Sequence, residues 1–367
     1  MPSETNSTLK PKRVRIAIMW TQLSGYFNAC IKELALNENV DLFVSNELPS
    51  EDAPYEQESF SWIKERYQWT THPNGSELLT RIEKFSPDII LCSGWNVDEH
   101  RYVLKKFKNK AVRLISLDNP WRSTLKQRVG SYISRYYLHP ICDALFVAGE
   151  RQAIFARKLG FAQSKILRGV LSCDHDKFSA IYFERKELLV EPKAFVFIGR
   201  LVPEKGLDVL LEAYAKYRKL ATNPWPLKCY GTGPLKSMLE ETEGIELNGF
   251  CQPENLPKEL LGASCLVLPS KFEPWALVVH EATSAGMAVI CTEAVGASVH
   301  LVQKGYNGYI VETGSVVELT DSLLNYSLLS SAERNEMGAR SYQMSLQFTP
   351  QRWARTLMGC AISHSLI

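Results

Sequence analysis

No stretch of this 367-residue chain is apolar for long enough to cross a bilayer, which takes ~20 residues. The longest apolar runs, such as 265–269, are strand-sized. The first fifteen residues are polar and then basic, without the apolar centre of a secretory signal. Net charge is also scarce: 42 Lys and Arg stand against 40 Asp and Glu, for a formal +2. That balance gives no reason to expect wholesale wrapping of nucleic acid. No C-x-x-C occurs among the nine cysteines, an odd number, and the seven histidines do not gather with them at metal-ligand spacing. A zinc module and a disulfide framework are therefore not expected, and a reducing cytosol, with possible peripheral contact to a membrane, is the expected compartment. Cys92, Cys142, Cys229, Cys265 and Cys291 lie in or beside short apolar runs, where a thiol acts as a small buried hydrophobe. Repeats and low-complexity segments are lacking too. With 45% hydrophobic and 22% charged residues the composition is that of a globular protein, and the length suits two domains or one unusually large one.

What is present is a rhythm of short apolar runs followed by helical patterns. Residues 15–20 read as a strand, and Gly25 opens a helix-like stretch to Ala35. Strand signals return at 40–44, 88–92, 112–117 and 144–147, separated by charged amphipathic segments. Residues 46–74 fit neither period. The rhythm pauses in the charged stretch 179–191 and restarts at 194–198 with a helix expected over 204–219. Further strands are expected at 227–230, 245–247, 265–268 and 288–291. Strands alternating with helices predict an α/β protein with parallel sheets. The boundaries read as a tail over 1–13, a first unit over 14–182, a linker over 183–193, a second unit over 194–345, and a C-terminal segment over 346–367. In such sheets ligands bind beyond the carboxyl ends of the strands.

Two segments of the second unit carry chemistry. In Phe197-Ile198-Gly199-Arg200-Leu201-Val202-Pro203-Glu204-Lys205-Gly206, a buried strand ends at Gly199, where backbone can approach a ligand. Arg200 and Lys205 flank the turn into a helix, and two cations beside a helix N-terminus suit a diphosphate. An exposed basic turn with a helix cap is the other reading. In Phe272-Glu273-Pro274-Trp275-Ala276-Leu277-Val278-Val279-His280-Glu281-Ala282, helix is expected just after Pro274. Free N–H groups near Trp275 and Ala276 would then face an anion, and Glu281 could accept both hydroxyl protons of a ribose. A solvated helix face with scattered glutamates is the alternative.

With Tyr230-Gly231-Thr232-Gly233-Pro234-Leu235 and Asn248-Gly249-Phe250 between them in order, these segments resemble the nucleotide-sugar domain of the family 4 (group 1) glycosyltransferases. Glu273 and Glu281 match that family's glutamate–seven residues–glutamate signature, and 296–298 with 305–309 resemble its continuation. The resemblance covers roughly 194–312. It implies the GT-B fold, two Rossmann-like domains facing across a cleft, and transfer of a hexose or related sugar with retention from a nucleotide diphosphate sugar to a hydroxyl acceptor. Glycan, polysaccharide or glycolipid assembly is the implied setting. No cofactor and no metal is expected, since the nucleotide sugar is a substrate.

Carried over by position, Arg200 and Lys205 would hold the donor diphosphate, Glu273 the transferred sugar, and Glu281 the ribose. Gly199, Gly231, Gly233, Phe250, Trp275, Ala276 and Leu277 would complete the donor site. In the first unit, which the resemblance makes the acceptor domain, Gly25 stands where two glycines are common. Asp118 stands near the place of a histidine found in many relatives. Ala276 replaces a usual glycine and would strain the loop at positive φ. The last segment, with Trp353, is expected to cross back to the first unit.

Other features have competing readings. Asp174-His175-Asp176 could chelate a cation but matches a loop before the linker. Residues 101–137 hold ten Lys or Arg against one acid, Asp118. They read either as solvated helix faces or as a contact for anionic lipid headgroups, suited to a glycan or lipid-linked acceptor. No nucleic-acid module accompanies them. A catalytically idle scaffold or binding subunit, or a nucleotide-sugar epimerase on the same fold, are the alternatives to a transferase.

Overall fold

The computed structural model describes residues 13–48 and 60–364. The tail expected over 1–13 lies almost wholly outside the described residues, as do 49–59, part of the stretch that fits neither period. The first unit runs β1 (Val14–Gln22), α1 (Gly25–Ala35), β2 (Val40–Glu47), β3 (Glu65–Trp69), α2 (Gly75–Phe85), β4 (Ile89–Cys92) and α3 (Asp98–Lys106). It continues with β5 (Val112–Leu117), α4 (Leu125–Tyr137), β6 (Ala144–Val147), α5 (Glu150–Lys158), β7 (Ile166–Arg168) and α6 (His175–Lys186). Its seven strands lie in the order β3-β2-β1-β4-β5-β6-β7, all parallel.

The second unit runs β8 (Phe195–Ile198), α7 (Leu207–Leu220), β9 (Leu227–Tyr230), α8 (Lys236–Glu240), β10 (Ile245–Leu247) and α9 (Leu256–Leu261). Then come β11 (Cys265–Leu268), α10 (Leu277–Ser284), β12 (Ala288–Thr292), α11 (Ser298–Leu301) and β13 (Gly308–Val311). Three helices follow: α12 (Val316–Leu328), α13 (Ser331–Ser345) and α14 (Pro350–His364). Six parallel strands take the order β10-β9-β8-β11-β12-β13. In each sheet the order reverses beside the first strand, between β1 and β4 and between β8 and β11, which opens a crevice at their carboxyl ends.

Both sheets are covered on both faces, so their central strands are continuous apolar runs. All four residues of β11 and all six of β5 are buried. Arg113 in β5 is one of them, and Asp143 accepts from its Nε at 2.9 Å and its Nη2 at 2.7 Å. The carbonyls of Leu104 and Pro140 accept from Nη1. The basic stretch 101–137 therefore counts one structural cation that never meets solvent.

Two expectations about the second unit's entrance change. The charged stretch 179–191 is largely helix: α6 runs to Lys186, so the segment read as a linker from 183 begins inside it. Arg185 donates to the carbonyls of Leu260 and Ala263 and caps α9. Glu191 takes a bidentate ion pair from Arg334. The charges that looked like a linker hold α6 and its continuation to the second unit. The helix expected over 204–219 is broken at Gly206, which sits at φ 67 between a single 3-10 turn and α7.

The units touch along α5 and α14. The Glu150 amide donates to His300 Nε2 at 2.9 Å, and Arg151 reaches the carbonyls of Glu293 and Ala294. Helix α14 lies against α1, where the buried Trp353 ring meets Phe27 and Phe146 and its Nε1 donates to the Val170 carbonyl. No helix among the described residues is long and apolar enough to cross a membrane.

Candidate active site

The residues singled out in the sequence converge where β8 and β11 end. Gly199 follows β8 beside the Lys205 chain, where a Cβ would stand at an ordinary contact distance of 3.5 Å from Lys205 Cε. Lys205 turns back because Gly206 adopts a left-handed φ, and a Cβ there would stand 2.2 Å from the Pro269 carbonyl after β11. Only glycine lets the two strand ends approach so closely. Gly231 does the same for β9: at φ 147, a Cβ would sit 1.9 Å from the Gly199 oxygen. Gly233 packs on the Leu201 carbonyl in the same layer.

The Lys205 ammonium is in direct contact with the Glu273 carboxylate, and both side chains are mostly shielded from solvent. Glu273 is fixed by its backbone: its carbonyl accepts from Gly296, and the Trp275 carbonyl accepts from Ala297 at 2.7 Å. Arg200 is exposed at the mouth and makes no ion pair among the described residues. It is the exposed cation of the two.

Helix α10 begins at Leu277 rather than just after Pro274, because Ala276 takes φ 77 and ψ 83 as its N-cap. The left-handed conformation at a residue with a Cβ is the strain that the glycine-to-alanine difference predicts, about 1–2 kcal/mol. The amides of Ala276 and Leu277 find no acceptor among the described residues and stand at the positive end of the helix. Glu281 lies one turn further in. Burial pushes its carboxyl up to about 7, with the charge of Lys177 pulling it back.

Lys177, on α6, donates to the Pro253 carbonyl at 2.7 Å and feels both Glu281 and Cys251. Nothing in the charged pattern of 175–187 distinguished it, since only the fold brings α6 to this pocket. Ser24 is a second addition. It is buried at the start of α1 with a hydroxyl that has no partner among the described residues, and Gly25 beside it faces Pro253, a Cβ there lying 3.6 Å from the proline Cβ. The Gly25 loop thus meets the 248–253 loop across the crevice.

Other candidates fall elsewhere. The Trp275 ring turns away from the crevice into the contact between the units, 5.2 Å from Phe348 and 5.9 Å from His300. A Cβ on Gly149 would meet it at 2.6 Å, so this ring anchors the two units rather than lining a donor pocket. Phe250 is exposed on the loop after β10. Asp118 follows β5 in the first unit and opens on a cavity of about 640 Å³ shared with Trp95, Ser116, Ile133 and Phe155. Gln152 links this region to the Glu273 loop: its Nε2 donates to the carbonyls of Asp118 and Pro274, both at 2.7 Å. Asp174 caps α6, and His175 is buried beside Ser345.

Comparison with known proteins places these features in context. Residues 180–344 match the family described as glycosyl transferases group 1. An uncharacterized glycosyltransferase of Methanocaldococcus jannaschii is 28% identical over 171 residues, 45% of each chain. Granule-bound starch synthase 1 of Solanum tuberosum is 28% identical over 192 residues, 46% of this chain and 30% of that one. The matches thus span less than half the length of these curated relatives. Anabaena HepE, solved in complex with UDP, superposes with a TM-score of 0.72 over 95% of this chain and 100% of its own, at 14% identity. Residues 180–344 form a group 1 glycosyltransferase domain, carried in a chain with the two-unit GT-B fold.

Proposed function

We propose that this chain transfers a hexose or related sugar from a nucleoside diphosphate sugar to a hydroxyl acceptor, with retention of anomeric configuration. The observation that carries the reading is the Lys205–Glu273 pair with Arg200, held by glycine-only contacts at the carboxyl ends of β8 and β11. A diphosphate entering there meets two cations and the free amides of α10, which neutralise the charge that grows as it leaves. The bond from the anomeric carbon to the diphosphate oxygen breaks, and a bond to the acceptor oxygen forms on the same face. The acceptor proton passes to the departing diphosphate. Glu273 holds sugar hydroxyls, Glu281 as a carboxylate takes the ribose diol, and the 640 Å³ cavity at Asp118 receives the acceptor. Arg200 and Lys205 supply the positive charge, so the step needs no metal. The starch synthase relative fits a role in polysaccharide or glycolipid assembly.

The test is a panel of UDP-, GDP- and ADP-sugars with the purified chain, following nucleotide binding by calorimetry and the product anomer by NMR. One nucleotide should bind wild type and lose affinity in Lys205→Ala. A second reading, an idle subunit that keeps the fold, draws on the strained Ala276. Silence across the panel from a folded protein would establish it in place of the first.

A further inference from the structure

Helix α4 is built inside out. Its residues Gln127, Gly130, Ser134 and Tyr137 face the body of the first unit, and it docks through polar bonds. Gln127 donates to the Pro120 carbonyl, and Ser134 Oγ donates to the Leu159 carbonyl at 2.9 Å. Its apolar residues Leu125, Val129, Tyr132, Ile133 and Tyr136 recur at helical spacing along one stripe and are 48–81% exposed. A surface helix of a water-soluble domain has the opposite arrangement. The charge around the stripe has one sign. Lys126, Arg128 and Arg135 lie on the helix, and no acidic residue occurs between Asp118 and Asp143. None of these three cations is in an ion pair among the described residues. They are what remains of the basic stretch here once Arg113 is buried with Asp143 and Arg122 lies over the Phe272 ring.

We propose that α4 is a membrane-surface helix that docks this chain on an anionic lipid bilayer. An exposed stripe with two tyrosines and basic neighbours matches the interface of such a bilayer, where aromatic rings sit at headgroup level and cations meet phosphates. At 13 residues the helix spans about 20 Å, enough to lie in the interface plane and too short to cross. The charge is complementary to anionic headgroups. The placement also has a consequence for the cavity at Asp118: Val129 and Ile133 belong both to the exposed stripe and to the cavity wall. An amphiphilic acceptor embedded in the bilayer can therefore enter beside α4 with its hydroxyl directed toward Asp118. This last step rests on the transferase reading, whereas the docking does not.

The test is co-sedimentation of the full chain with vesicles of phosphatidylcholine alone or with 3:7 phosphatidylglycerol, at low and high salt. Wild type should bind the anionic vesicles at least tenfold more tightly than the neutral ones, and high salt should weaken it. The variant L125S/Y132S/Y136S should lose at least tenfold in vesicle affinity, and R128E/R135E should lose the preference for anionic lipid. Circular dichroism and unchanged nucleotide binding show that each variant is folded, since none of these residues touches the donor site. Absence of wild-type binding, or variants that bind like wild type, overturns the proposal. So does concentration-dependent dimerisation through α4 without vesicle binding. Vesicle binding without any nucleotide binding keeps the docking and refutes the transferase reading instead.

Discussion

The contact between Lys205 and Glu273 makes the proposed donor site self-neutralised before a donor arrives. A diphosphate must share the ammonium with a carboxylate already seated on it. At an effective dielectric near 20, a charge about 5 Å from Glu273 is repelled by ~3 kcal/mol. Solvent at the mouth and movement of the carboxylate on binding reduce this, leaving about 1–1.5 kcal/mol, or roughly tenfold in affinity. Glu273→Gln keeps the shape and removes the charge. It should therefore bind the free nucleoside diphosphate about tenfold more tightly than wild type, while sugar transfer falls because a hydroxyl acceptor is lost. Lys205→Ala should do the reverse to nucleotide affinity and leave the carboxylate unpaired in a shielded site, which destabilises the fold. The double variant should regain part of that stability. Isothermal titration and thermal unfolding read both quantities. If Glu273→Gln binds the diphosphate no better than wild type, the pair does not gate the anion site and the reasoning fails.

Four further outcomes follow from the geometry. Gly206→Ala forces a Cβ to within 2.2 Å of the Pro269 carbonyl at φ 67 and should cost about 2 kcal/mol or more, read by denaturant unfolding. Gln152→Met removes two bonds that join Asp118 to Pro274. At about 1 kcal/mol each, it should lose roughly 2 kcal/mol and open the units, seen as a larger radius of gyration by X-ray scattering. Glu281 is raised to about 7, above its ordinary value of 4.5, so the fold binds this proton more tightly than the unfolded chain does. Its stability contribution is then complete below pH 4.5 and lost as pH rises through 7, whereas nucleotide binding, which needs the carboxylate, strengthens over that window. Glu281→Gln should flatten both profiles. Asp143→Asn strands the buried Arg113 guanidinium and should cost about 2–3 kcal/mol in thermal unfolding.

Much of this fold is legible in the chain because parallel strands covered on both faces are short unbroken apolar runs. Residues 112–117 and 265–268 announce themselves in that way. The two edge strands of the first sheet do not, although β10, at the edge of the second, does. Glu65–Trp69 carries charge and polar residues because β3 lies at the margin, and Ile166–Arg168 is only three residues long. In the proposed donor site, Arg200, Lys205, Glu273 and Glu281 stand out in the sequence because their spacing is local to two strand-to-helix turns. Lys177, Ser24 and Gln152 arrive from other elements, and no local pattern marks them. Trp275 shows the converse. An aromatic residue inside the signature reads as a pocket wall, but the amides of Gly296 and Ala297 clamp its loop and turn the ring into the contact between the units.

Gln152 ties the proposed acceptor and donor sides together. One side-chain amide, fully buried, satisfies a carbonyl at the end of β5 and another in the loop that carries Glu273. Its Oε1 has no partner among the described residues, a cost that the two Nε2 bonds help to offset. The neighbouring contacts point the same way. His300 receives the Glu150 amide, the Trp275 ring fills the space left by Gly149, and Gly25 closes on Pro253. If a diphosphate moves the Glu273 loop, the Gln152 bonds to Pro274 and Asp118 give that movement a route to the first unit. An opening of the crevice would have to break the Gln152 bonds together with the Glu150–His300 bond. Donor binding and acceptor placement are then linked by the same few bonds, and the affinity of one substrate should depend on the presence of the other.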